Sequence, residues 1–388
     1  MTSIKESIGR LFSTIKPLEP GIYHYQAPIE DPRNYRLHLR LEADGSGVLI
    51  VNASTILHLN QTAAECAFHL VQGKSEEEAA NAIASRYRIS YQAAKQDYAD
   101  FIERIDTLVT IHDLDPVTDL EFERQQPYTG SISAPYRLDC ALTYRLQSDT
   151  SPESAPLHRA KEELGTTEWK NIIDKAWQAG IPHLIFTGGE PTLREDLVEL
   201  LEHAEKNGQV TGLSTDGSRL KEPGYFDGLL QTGLDHLLIV ISTLDASGSE
   251  LLRGISAADI HTTIHLTIRE ENQDDVKNIL QMLPEVGIRS ISLSAAGEEM
   301  KEALQAARGL VASLGLSLVW DVPVPFSSMN PFDLEFEDRE RPSGAGRAWL
   351  YVEPDGDVLP DQSIDRVLGN LLKDPWEMIW HSGSAGSD

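Results

Sequence analysis

Between Tyr136 and Leu293 short apolar runs alternate with helix-length intervals, and this alternation restricts the fold more than any other feature of the chain. The runs are Tyr136–Tyr144, His183–Phe186, Val210–Leu213, His236–Ser242, Thr262–Ile268 and Ser290–Leu293. Strand, helix and strand in succession is the unit of a parallel sheet with helical crossovers. Six such runs predict an α/β fold, a partial (β/α)6 TIM-like barrel over residues 134–325. In barrels of this kind the loops leaving the C-terminal ends of the strands hold the ligands, so chemistry is sought there.

The chain ahead of the barrel follows another pattern. Tyr35–Leu41 alternates apolar and polar residues, Asp44-Gly45 supplies a turn, Val48–Val51 reads as a second strand and Thr55–Leu59 as a third. Three helices are predicted next. The first places Ala63, Cys66, Ala67 and Leu70 on one face and stops at Gly73. The second opens with Ser75 and Glu78 in capping-box spacing, and the third aligns Ala94, Tyr98, Phe101, Ile102, Ile105 and Leu108. A small sheet with three helices is a winged-helix-like α+β domain, here over residues 34–110. Residues 1–33 read as an extension, and the polar, acidic stretch 111–133, with Pro116, Pro127 and Gly130, as a linker. Past the barrel, residues 326–388 hold a predicted hairpin of Trp349–Val352 and Val358–Leu359 around Pro354-Asp-Gly-Asp357.

Sixty-one acidic residues against 33 basic ones give a formal charge of −28, which argues against nucleic acid or an anionic membrane as partner. The same charge serves solubility and also attracts basic peptides. No run reaches the roughly 18 apolar residues of a membrane span. Met1–Pro17 lacks the apolar centre of a signal peptide, so a cytoplasmic protein is expected. The two cysteines, Cys66 and Cys140, both lie in apolar patterns and are expected to be buried thiols.

Phe186-Thr-Gly-Gly-Glu-Pro191 ends the second barrel strand. Its two glycines allow close approach of backbone, and its carboxylate can accept bonds from an ammonium group. Thr215-Asp-Gly217 follows the third strand. Gly233-Leu-Asp-His236 leads into Ile239-Val-Ile-Ser242, with Asp245 and Arg253-Gly254 beyond. From about Ala134 to His381 these motifs resemble the radical S-adenosylmethionine (SAM) superfamily. The resemblance implies a SAM site formed by Gly188, Gly189, Glu190, Pro191, Ser242 and Asp245. Leu57-x-x-Asn60, a helix and then Gly73 resemble the peptide-recognition element of enzymes that make ribosomally synthesised, post-translationally modified peptides (RiPPs). The best-known form of that element is the small peptide chaperone of pyrroloquinoline-quinone biosynthesis. It implies a leader peptide added as a strand in a groove between residues 54–59 and 91–108, touching Thr55, Leu57, Leu59, Tyr98 and Ile102. A generic winged-helix interaction domain is the alternative. Gly344-Ala-Gly-Arg347, the Pro-Asp-Gly turn, Gly369-Asn370 and Trp376–Trp380 are similar to the auxiliary-cluster module called SPASM or twitch.

The cysteines of that superfamily are missing. Its Cys-x3-Cys-x2-Cys loop would fall on Leu146, Thr150 and Glu153, and the auxiliary-cluster cysteines near Ser343 and Asp361. No iron–sulfur cluster is therefore expected, since two cysteines cannot supply three thiolates. An oxygen-ligated metal at Asp149 and Glu153 is the alternative to a solvated acidic loop. SAM stays an open cofactor: the remaining contacts hold it without the iron chelate, or Gly188 and Gly189 persist only because the turn needs them. The expected function is that of a catalytically silent pseudoenzyme in RiPP maturation, a scaffold or activator. It would bind a precursor leader peptide and pair with an active radical SAM homologue as a heterodimer. The alternatives are an enzyme of polar, non-radical chemistry using Glu190, Asp216, Asp245 or His265, and a leader-peptide chaperone.

Overall fold

The structure, a computed structural model, describes residues 15–28, 30–33, 35–52, 55–111, 120, 132–147, 159–160, 162–258, 260–319 and 344–384. The chain divides into two units, Met1–Ile132 and Ser133–Asp388.

In the first unit, strands β1 (Gly21–Gln26), β2 (Arg36–Leu41), β3 (Gly47–Val51) and β4 (Thr55–Leu59) form one antiparallel sheet in sequence order. Strand β1 lies in the segment read as an extension, so the boundary expected at residue 34 falls inside this sheet. Its Gly21–Gln26 pairs along the whole of β2, from Gly21 opposite Leu41 to Gln26 opposite Arg36. The β2–β3 turn closes through Asp44, whose carboxylate accepts from the Ser46 amide at 2.9 Å, and through Gly45 at φ +90°.

Helix α1 (Gln61–Val71) starts at Asn60, whose side chain accepts from the Ala63 amide. It stops where Gly73 turns left-handed, with its amide on the Leu70 carbonyl. The expected capping box opens α2 (Glu76–Tyr87): Ser75 and Glu78 satisfy each other's backbone amides at 3.0 and 3.3 Å. Ser90 caps α3 (Tyr91–Thr110). Leu37, Leu39, Leu49, Leu57 and Leu59 of the sheet share one core with Cys66, Ala67, Ile83, Tyr98 and Ile105 of the helices. Most of the stretch read as a linker, residues 112–119 and 121–131, lies outside the described residues.

The second unit is built on one ten-stranded sheet. Seven of its parallel strands are β5 (Arg137–Thr143), β6 (His183–Gly188), β7 (Val210–Thr215), β8 (His236–Ile241), β9 (His261–Ile268), β10 (Ser290–Ala295) and the short β11 (Ser317–Leu318). Helices α4 (Thr166–Gln178), α5 (Leu197–Asn207), α6 (Tyr225–Leu230), α7 (Ala246–Ser256), α8 (Val276–Glu285) and α9 (Lys301–Ser313) alternate with them. This is the α/β architecture with a parallel sheet that the alternation predicts. Every second strand residue packs against the helices. Leu138, Cys140 and Leu142 of β5 and Ile264, Leu266 and Ile268 of β9 share a core with Trp169, Ile172 and Leu200.

The C-terminal hairpin continues this sheet. Strand β12 (Trp349–Val352) pairs in parallel with β5, Leu350 opposite Leu138, and β13 (Asp357–Leu359) and β14 (Gly369–Asn370) extend it antiparallel. Residues 320–343, which include the expected boundary at 325, lie outside the described residues. Helix α10 (Trp376–Ser384) follows, with Trp376 stacked on Trp380.

Candidate functional site

The turn at the end of β6 is held by its own neighbour strand. The Gly189 amide donates to the Thr143 carbonyl at 2.7 Å, and the Glu190 amide to the Arg145 carbonyl at 2.8 Å. A Cβ on Gly188, which sits at φ +125°, would lie 2.1 Å from the Thr143 carbonyl oxygen. One on Gly189 would lie 2.2 Å from that of Arg145. No side chain fits at either position, so both glycines are required by the contact between the exits of β5 and β6.

Glu190 is buried to 1% exposure and acts as a brace. Its Oε1 accepts from the Thr192 amide at 2.9 Å, the Thr192 hydroxyl at 2.5 Å and the Thr215 hydroxyl at 2.9 Å; its Oε2 accepts from the Asp216 amide at 2.7 Å. Burial, aided by the charge of Asp216, pushes the carboxyl up from its ordinary value, and the donated bonds work against that rise. Pro191 opens a single 3-10 turn and is itself buried. Four of the expected site residues, Gly188 to Pro191, thus come together at one strand exit.

Ser242 and Asp245 lie beyond β8 and are exposed. The Asp245 side chain caps α7 by accepting from the Gly248 amide at 2.7 Å, which is a structural use of the carboxylate reserved for a ligand in the sequence reading. The Ser242 carbonyl accepts from the Asn272 amide group at 3.1 Å. His265 is fully buried on the face of β9 opposite the helices. Its Nδ1 meets the Ser292 hydroxyl at 3.1 Å, and its Nε2 meets the hydroxyls of Thr267 and Ser294 at 3.1 and 3.0 Å. Burial drives its pKa down to about 3, so the ring is neutral and both nitrogens are engaged. Asp216 accepts from the amide and hydroxyl of Ser218. Each of the four groups named for acid–base work therefore has a structural partner.

At the exit of β5 stands Leu146, the first of the expected cluster positions. It packs against Ala141, Tyr144, Tyr351 and Leu359. Thr150, Glu153 and Ser343, and Asp149 with them, lie outside the described residues. Asp361, the remaining position, accepts from the Trp349 indole at 2.8 Å and from the amide and hydroxyl of Ser363 at 2.9 and 2.8 Å. Sequence reasoning missed what lies between. Tyr144 donates to Glu353 at 2.5 Å, and its hydroxyl lies 3.2 Å from that of Tyr351. Arg159 pairs with the other oxygen of Glu353 at 3.0 Å. Burial holds both phenols protonated and raises the Glu353 carboxyl. The network joins the strand before the barrel's first loop to the hairpin two hundred residues on, a separation no local pattern could announce.

In the first unit the expected peptide groove is divided. Strand β4 stands at the edge of its sheet. Leu57 and Leu59 point into the core, 3% exposed each, while Ile56 faces out. Strand alternation alone could have made that distinction. Tyr98 and Ile102 instead line a cavity of about 640 Å³ with Leu70, Lys74, Ala99 and Glu103, and Thr55, Leu57 and Leu59 are not part of its wall.

Comparison with known proteins bears on both units. Residues 140–307 match the model of the radical SAM superfamily, and residues 47–107 that of coenzyme PQQ synthesis protein D (PqqD). The chain carries a radical SAM domain behind a PqqD-type domain. Among curated relatives, the PqqA peptide cyclase of Ruegeria pomeroyi is 28% identical over 296 residues, covering 66% of this chain and 76% of its own. That of Rhizobium meliloti is 27% identical over 291 residues with the same coverage. The crystal structure of Streptococcus suis SuiB bound to S-adenosylmethionine superposes with a TM-score of 0.60 at 16% identity, covering 90% of this chain and 89% of that one. SuiB bound to precursor peptide SuiA gives 0.58 at 14% identity. These likenesses show the fold.

A radical SAM domain implies an iron–sulfur cluster on three thiolates, and the thiols of this one do not fit it. The chain has two cysteines. Cys66 lies in the first unit's core, where burial pushes its thiol up to about 12. Cys140 faces the helices of the second unit, and burial raises it well above its usual value. Neither is a thiolate at neutral pH. Among the described residues no group of three or more His, Cys, Asp or Glu side chains is placed to hold a metal ion. Nor is any described helix long and apolar enough to cross a membrane.

Proposed function

We propose that this radical SAM domain is catalytically silent and that the chain serves peptide maturation as a leader-binding scaffold or activator of an active radical SAM homologue. One observation carries the reading: a peptide-recognition domain is joined to a barrel whose thiols cannot make a cluster. Radical cleavage of SAM needs an electron from that cluster and an iron to chelate the methionine amine and carboxylate. With two buried, protonated thiols neither is supplied.

Three further points support the reading. Relatives of this chain are PqqA peptide cyclases, which act on a peptide, and a structural neighbour was crystallised with its precursor peptide. The position expected for the first cluster cysteine holds Leu146 in an apolar contact, and one auxiliary position holds Asp361 in a hydrogen-bonded turn. The glycines of the SAM motif have a reason of their own to persist, because no Cβ fits there. SAM itself is expected to bind weakly at best, since three of the bonds to Glu190 already crowd one carboxylate oxygen.

The test is a pair of measurements on purified protein. Co-purification with a homologue that has all three cysteines, together with faster turnover by that homologue when this chain is added, is the expected result. Cleavage of SAM to 5′-deoxyadenosine by this chain alone, after anaerobic reconstitution with iron and sulfide, would overturn the proposal.

A further inference from the structure

The cavity in the first unit has a composition that names its ligand more closely than peptide binding does. Leu70 of α1 and Tyr98, Ala99 and Ile102 of α3 form an apolar wall, and Ile111, half exposed, stands at its lip. A volume of about 640 Å³ is in the range of sites that take small ligands, and it has room for more than one aliphatic side chain. Three carboxylates edge it, Glu76, Glu103 and Asp106, against the single ammonium of Lys74. Their availability differs. Asp106 is held by Arg33 at 2.8 Å, and Glu76 lies 3.6 Å from Lys95. Lys74 rests over the Phe68 ring at 5.9 Å. Glu103 is exposed, and no described side chain pairs with it.

We infer that this cavity takes an apolar side chain of the precursor peptide whose near neighbour is a lysine or arginine, the base meeting Glu103 at the rim. The inference rests on the reading of this unit as a peptide-binding domain and adds which peptide it selects. The apolar wall supplies the affinity, since burying one aliphatic side chain outweighs an exposed ion pair. Glu103 supplies the preference. The chain's net charge of −28 acts in the same direction, raising the encounter rate of a basic segment and making it fall with salt.

A random peptide library displayed on phage and selected against the full chain tests this. Enriched peptides are expected to share an apolar residue with Lys or Arg one to three positions away. Their binding should weaken several-fold in the exposed-site variant Glu103→Lys, with an unchanged melting temperature, and should recover in part when the peptide's base is changed to Glu. Enriched peptides with no basic residue, or with unchanged affinity for Glu103→Lys, would overturn the inference and leave the peptide reading standing. No enrichment over an unrelated acidic protein would remove the peptide reading, and this inference with it.

Discussion

Two regions of the second unit match the radical SAM resemblance to very different degrees. The turn Gly188–Pro191 carries the full motif of the resemblance, while the positions where cluster cysteines are expected hold Leu146 and Asp361. The difference lies in what else each position does. Gly188 and Gly189 are pressed against the carbonyls of Thr143 and Arg145, and Glu190 braces Thr192, Thr215 and Asp216, so the fold demands them whether or not a ligand binds. A cysteine that only held iron carries no such demand. Leu146 instead joins the contacts of Tyr144, Tyr351 and Leu359, and Asp361 accepts from Trp349 and Ser363. A retained motif is therefore weak evidence for a retained cofactor when the backbone alone accounts for it.

The comparison can be broken at its strong side first. Gly188→Ala puts a Cβ against the Thr143 carbonyl at positive φ, and a loss of about 3–5 kcal/mol is expected from the clash and backbone strain together. Chemical unfolding measures it, and a change under 1 kcal/mol would mean that the turn does not need its glycine. Tyr144→Phe removes the hydrogen bond to Glu353 and leaves a buried carboxylate oxygen without its donor. The expected cost is about 1–3 kcal/mol, with no change in ligand binding.

The pH dependence sharpens the same contrast. His265 is neutral in the fold because burial depresses its pKa from 6.5 to about 3. A depressed histidine contributes stability that is fully present above pH 6.5 and is lost as pH falls through the window down to about 3. His265→Gln should remove that part of the acid sensitivity, up to about 1.4 kcal/mol per pH unit, as read from unfolding free energies across the window. A working acid–base histidine would instead titrate near neutrality in an NMR titration. The smallest effect belongs to Asp361→Asn. The amide keeps one acceptor for the Trp349 indole but gives up the charge, so a loss near 1 kcal/mol is expected in thermal unfolding.

What could be read in the sequence was local or periodic. The six barrel strands, the Ser75–Glu78 capping box and the Gly188–Pro191 strand exit all follow from patterns within a few residues of each other. The strand Gly21–Gln26 does carry a signal, since Ile22, Tyr23 and Tyr25 are strand formers behind Pro20, but its alternation of half-buried and exposed residues at a sheet edge is faint. Asp245 is legible as a helix cap from its Asp-x-x-Gly spacing, and only the resemblance assigns it to a ligand. Strand β12 beside β5, and the Tyr144–Glu353–Arg159 network that this pairing permits, depend on contacts across two hundred residues. No window of sequence holds both sides of them.

The most direct test of the silent-domain account is the iron and sulfide content of the protein after anaerobic reconstitution, with the triple variant Leu146→Cys, Thr150→Cys, Glu153→Cys run beside it. The account predicts no stoichiometric iron in the wild type and iron loading in the variant. A full iron–sulfur complement in the wild type, with its charge-transfer absorbance, would contradict it.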